Sequence, residues 1–142
     1  MNVFIIGSPL ETAQALDKRR LNKQIIECRQ ILDALYNYKI GWKNHPCTLS
    51  YKNDRDWLWS YCLCLEQYRE GEYNQALYWN NLAEKVRPVF HTQEYFDQMK
   101  RRLYTKSPEY YAQWSELGTS EVNWYYVAGE WRYYKDGKRV KI

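Results

Sequence analysis

Leu21, Ile25, Cys28, Leu32 and Leu35 recur at intervals of four and three, the spacing that puts apolar side chains on one face of an α-helix. Two helix-starting signals precede this repeat. Ser8-Pro9-Leu10-Glu11 pairs a capping serine with a glutamate three residues on and has proline at the first helical position. Asp17 can cap again. The spacing predicts a helix from Ser8, a kink or break near Asp17, and a longer amphipathic helix to about Tyr38.

The remaining elements follow from similar punctuation. Residues 2–6, Asn-Val-Phe-Ile-Ile, form a short apolar run ended by Gly7 and read as an extended, buried arm. Gly41–Asn53 lacks periodicity and contains Asn44-His45-Pro46, so it reads as a loop. Asp54 or Asp56 can cap a second helix through Tyr68, ended by Gly71. It is apolar on nearly all sides and therefore central. A third helix is expected over 73–86 before Pro88, a fourth over about Thr92–Leu103, and a short fifth from Ser107-Pro108-Glu109. After Gly118 the chain turns aromatic and β-prone, with Asp136-Gly137 as a turn signal, and suits either a small hairpin or a coiled aromatic tail. The expected fold is all-α, a single-domain helical bundle over 1–142 with an extended N-terminal arm and an aromatic C-terminal tail.

A chain of 142 residues can build one core but not two. Its mean hydropathy is low, −0.81, although 45% of its residues are apolar. The 15 tyrosines and 7 tryptophans reconcile the two, because their rings supply contact area and keep a polar end. The formal charge of +4 permits an anionic partner. In sequence the excess sits in the last dozen residues, where five basic side chains face Asp136 alone for a net +4. Basic and aromatic residues interleaved suit phosphates and unstacked bases.

Cys28, Cys47, Cys62 and Cys64 form no C-x-x-C pair. His45, Cys47 and the C-x-C have poor spacing for zinc. No metal or organic cofactor is expected. With no apolar leader and no long apolar span, the reading is a soluble, cytoplasmic protein with reduced thiols and no membrane partner. Phosphate-cradling and nucleophile-elbow motifs are absent, which removes support for those enzyme classes.

Four constellations are candidates for chemistry. Lys18, Arg19, Arg20 and Lys23 precede a single carboxylate, Glu27, on the long helix, and Arg20, Lys23, Gln24 and Glu27 share one face. A solvated face with Lys23–Glu27 pairing is the plain alternative. In the loop, Lys43 and Asn44 can donate to phosphate, and His45 can contact phosphate or carry a proton; a loop packed by Trp42 is the alternative. The basic run Met99–Tyr111 offers Arg102 and Lys106 beside a helix start, or simply a solvated helix end. Trp131, Tyr133, Tyr134, Lys135 and Lys138 form a basic aromatic tail that can stack on bases, pack on the core, or do both.

Taken together, these residues resemble the pyrimidine-dimer DNA glycosylases, a family that includes phage endonuclease V. The resemblance rests on the N-terminal arm, Leu16-Asp17…Leu21…Glu27, Asn44-His45-Pro46, the apolar helix ending at Gly71 and the Trp-Tyr-Lys tail. It implies a compact all-α protein that binds damaged duplex DNA as a monomer, bends it and expels a nucleotide. It further implies attack of an N-terminal α-amine on the sugar C1′, an imine, and strand cleavage by β-elimination. By register Glu27 corresponds to the family's essential glutamate, and the arm from Met1 delivers the amine. An α-amine with an ordinary pKa of about 7.7–8.0 is partly neutral at working pH, and a nearby carboxylate can shuttle protons. Best-known members expose threonine where Asn2 stands, and Ile26 and Gln30 replace arginines. The nucleophile is therefore the amine of Met1 or of Asn2, or Lys23. A non-catalytic nucleic-acid-binding module, and an N-glycosidase acting on nucleotides or modified bases, are the alternatives.

Overall fold

The capping box at Ser8 forms as its residues predict. The Ser8 hydroxyl accepts the Glu11 N–H at 3.1 Å and the Glu11 carboxylate accepts the Ser8 N–H at 3.2 Å. The computed structural model, which describes residues 1–142, begins its first helix there: α1, Pro9–Ala15. Leu16 leaves the helix in extended geometry, and Asp17 caps α2, Lys18–Leu35, by accepting the Arg20 N–H at 3.3 Å. The expected break at Asp17 is thus a complete change of helix. α2 buries Leu21, Gln24, Ile25, Cys28, Ile31 and Leu32. It stops one turn short of Tyr38, and Asn37 takes a positive φ of 61° just beyond its end.

The stretch read as a loop holds a helix. α3, Pro46–Ser50, has proline at its start and His45 as its cap. Five residues are too few to show a period, and histidine is not among the favoured capping types. α4, Arg55–Arg69, is central as expected and buries Trp57, Leu58, Tyr61, Cys62, Cys64 and Leu65. Gly71, at φ 80°, closes it in the left-handed region that glycine enters without strain. α5, Tyr73–Lys85, packs along α4. Its Asn80 accepts the Leu10 N–H at 2.9 Å, satisfying a first-turn donor of α1. α6, Gln93–Lys106, is capped by Thr92. No short helix starts at Ser107; a turn leads into a 3₁₀ segment at Ala112–Leu117.

The all-α expectation is overturned by the last twenty residues. β1 (Asn123–Val127), β2 (Glu130–Lys135) and β3 (Lys138–Val140) form a three-stranded antiparallel meander, so the fold is mixed. Two-residue turns at Ala128-Gly129 and Asp136-Gly137 have positive φ at both positions, the geometry that matches strand twist in a tight hairpin. Only the second was legible as a turn, since alanine gives no such signal. Rings pair across the register, Trp124 with Tyr133 and Tyr126 with Trp131. Tyr125 and Val127 point into the core, and β1 packs on α3 and α6.

Candidate active site

The N-terminal arm joins no sheet, yet Val3, Phe4 and Ile5 are at most 1% exposed. Buried backbone polar groups must find partners, and here side chains supply them. Gln24, facing the arm from α2, donates to the Asn2 carbonyl at 2.9 Å and accepts the Phe4 N–H. The Tyr61 hydroxyl of α4 donates to the Phe4 carbonyl. The Tyr125 hydroxyl of β1 donates to the Met1 carbonyl at 2.8 Å. The Asn2 side chain donates to Asn123 at 2.8 Å, and the same oxygen accepts from Arg102 Nε at 2.9 Å. Arg102 also donates to the Ser120 carbonyl at 2.8 Å. Residues from α2, α4, α6 and β1 therefore fix the first four residues of the chain.

Glu27 lies three residues beyond Gln24, on the face of α2 that carries the arm, and is half-buried. The charge of the Met1 amine is felt at His45 and Cys47. The charge of Glu27 is felt at Cys47, Tyr125 and Lys106. Both charges therefore act on the same buried thiol. A family model described as pyrimidine dimer DNA glycosylase matches residues 1–81. The chain belongs to that family. No curated protein and no solved structure matches it. The family match spans the arm, α1 through α4 and most of α5, whereas Arg102, Lys106, Asn123 and Tyr125, which close the site, lie beyond it.

In this family member the groups around the amine differ in what they can do with a proton. Burial, together with the charge of Glu27, pushes the Cys47 thiol up to about 12. Burial likewise raises the Tyr125 phenol well above its ordinary value. Both hold their protons near neutral pH. Burial lowers His45, and the adjacent amine lowers it further. No three His, Cys, Asp or Glu side chains converge to hold a metal ion, and all four cysteines are buried and unpaired.

A second part of the site is a polar cavity of about 240 Å³ lined by Asp17, Arg19, Arg20, Lys23, Lys106, Ser107 and Tyr111. Arg19, Arg20, Lys23 and Lys106 form no ion pair. Asp17 is engaged by the Tyr111 hydroxyl and by the cap of α2. Partial burial, then the charges of Arg102, Arg20 and Lys23, hold Lys106 below the ordinary lysine range. Four cations without an ion pair around one polar cavity suit a phosphate group.

The other sequence candidates scatter. Arg102 is 8% exposed, and its guanidinium is consumed by Asn123 and the Ser120 carbonyl, so it holds the site rather than reaching out of it. Lys18 is exposed at the start of α2. Lys43 and Asn44 border a separate cavity with Asn37 and Lys52. Tyr134 stands edge-on to Tyr125, so it touches the site's wall. Trp131 packs on Phe90, Tyr95 and Trp124, and Tyr133 packs on Trp124. Lys135 and Lys138 face each other at the far turn of the sheet. Sequence reading missed Asn123, Tyr125 and Tyr61, whose bonds to the arm span 57 to 124 positions. Gln24 did leave a signal: it is a polar residue set among the apolar stripe positions Leu21, Ile25 and Cys28.

Proposed function

We propose that this protein removes a damaged pyrimidine from duplex DNA through its N-terminal amine and then cuts the strand at the resulting sugar. The observation that carries the reading is the clamping of residues 1–4 against the face of α2 that bears Glu27. Fixing a nucleophile beside its base converts a bimolecular encounter into a positioned step.

The amine lone pair bonds to C1′, and the C1′–N bond breaks with its electron pair leaving on the pyrimidine. Glu27 takes the proton lost by the amine, because Cys47 and Tyr125 keep theirs. The proton returns to the sugar ring oxygen as the nitrogen lone pair opens that ring, leaving a protonated imine. Glu27, again a carboxylate, takes a C2′ proton, the electron pair passes towards the imine, and the C3′–O bond breaks with its pair leaving on the 3′ phosphate. Arg20, Lys23 and Lys106 hold a backbone phosphate in the polar cavity, and the nucleotide reaches the amine by leaving the stack, a displacement that is easiest at damage. A carboxylate acting this way contributes about 10²–10⁴-fold.

Borohydride reduction during reaction with ultraviolet-irradiated duplex is expected to trap a covalent adduct, and peptide mapping to place it on the amine of residue 1 or 2. Glu27→Gln is expected to lose at least about 10²-fold in turnover with DNA binding retained. Binding without trapping or scission, unaffected by an N-terminal extension, would instead identify a nucleic-acid-binding module.

A further inference from the structure

The fold engages one of the two ring nitrogens of His45 and leaves the other free. The residue is the N-cap of α3, and its Nδ1 accepts the Cys47 N–H at 3.1 Å. Pro46 has no N–H, so the first donor of this helix is that of Cys47, and the imidazole is its partner. A ring nitrogen that accepts a hydrogen bond carries no proton. The neutral imidazole then bears its proton on Nε2.

The ring stands edge-to-face between Trp42 and Tyr125, with centroids 5.5 and 5.7 Å away. Tyr125 is the residue whose hydroxyl holds the Met1 carbonyl. Nε2 has no partner within the protein and is not sealed inside it: the only buried side-chain polar atom left unpaired is Thr48 Oγ1. The half-buried ring therefore presents one free N–H at the wall of the amine site. Its lowered basicity, from burial and the neighbouring amine, agrees with a ring that stays neutral.

We infer that His45 acts on the nucleotide at this site as a neutral hydrogen-bond donor through Nε2–H, its target being the pyrimidine oxygen adjacent to the bond that breaks at C1′. The inference rests on the amine mechanism proposed above. An amine bonding to C1′ brings its neighbours to the substituents of C1′, and O2 of a pyrimidine is the acceptor nearest the departing nitrogen. Negative charge grows on that oxygen as the base leaves, and a fixed donor there lowers the barrier without transferring a proton. His45 is by the same geometry not the base that deprotonates the amine, because its one lone pair is committed to Cys47.

The test has two arms. Long-range nitrogen–proton correlation spectra of the free protein near neutral pH are expected to show His45 with a bare Nδ1 and a protonated Nε2. A proton on Nδ1, or a charged ring, would overturn the inference. The second arm compares His45→Ser with His45→Asn. Both side chains cap helices well, but the serine hydroxyl is too short to reach a bound base, whereas the asparagine amide caps with its oxygen and donates with its nitrogen. His45→Ser is expected to slow single-turnover base release from irradiated duplex by about 10²–10³-fold with DNA affinity kept, and His45→Asn to recover at least about tenfold of that loss. A serine variant at the native rate, or equal losses in both variants with intact helix content, would overturn the donor role. Wild-type protein that releases no base would defeat the underlying mechanism, and the nitrogen spectra, recorded without DNA, separate that failure from a wrong tautomer.

Discussion

On α2 the side chains of Arg19, Arg20 and Lys23 have no carboxylate within ion-pair distance and meet Lys106 around one cavity. On the sheet, Arg132 and Arg139 both reach Glu130, at 3.2 and 3.5 Å. The sequence places the whole net charge of the chain in its last dozen residues, yet two of those cations share Glu130, the residue immediately before that stretch. The helix carries more cations than acids and leaves Arg19, Arg20 and Lys23 free: Asp17 is engaged by Tyr111, and Glu27 forms an ion pair with none of them. An electrostatic footprint is therefore a property of unpaired, converging charges, and summing charge along a chain does not locate it.

The strongest way to break this contrast is to remove two cations from the cavity. Arg20→Ala with Lys106→Ala is expected to weaken DNA binding about 10–100-fold and to flatten the slope of log affinity against log salt by about 1.8, near 0.9 for each phosphate that is no longer neutralised. Titration of binding against pH sharpens it further. Lys106 is held below the ordinary lysine range, so it loses its charge as pH rises before an ordinary lysine does. Affinity should fall several-fold on that alkaline limb, in a range below about 10.4, and Lys106→Arg should remove the fall. The smallest effect is expected on the sheet, where Arg132→Ala with Arg139→Ala should change affinity by less than about threefold and leave the salt slope nearly intact. A larger loss there than on α2 would reverse the comparison.

Local signals were read well where they were self-contained. The capping box at Ser8, the cap at Asp17 and the closure at Gly71 depend on residues within a few positions, and each appears as its side chains require. α3 escaped because its cap is a histidine and its length is a single turn and a half. The tail was left open between a hairpin and a coil because a half-buried aromatic strand and an aromatic tail packed on a core have the same composition; only the register separates them, and Ala128 hides the turn that adds the third strand. In the candidate site, the buried arm was legible from its apolar run, while Glu27 and His45 were singled out by motif and resemblance. Arg102 was not, because nothing in a basic run distinguishes an arginine that reaches outward from one folded inward onto Asn123.

The hydrogen bond from Asn2 to Asn123 spans 121 positions, and it has a consequence for how the molecule comes into being. Pairings this distant close late, after the entropy of the intervening loop has been overcome. During synthesis the arm leaves the ribosome before its β1 anchors, separated from them by many seconds at about 5–20 residues per second. Until then the Asn2 amide and the Met1 carbonyl lack their partners, and the amine has no fixed place. Under the proposed mechanism a nascent chain is thus idle towards DNA, and activity should switch on only when β1 is free to fold back upon the arm.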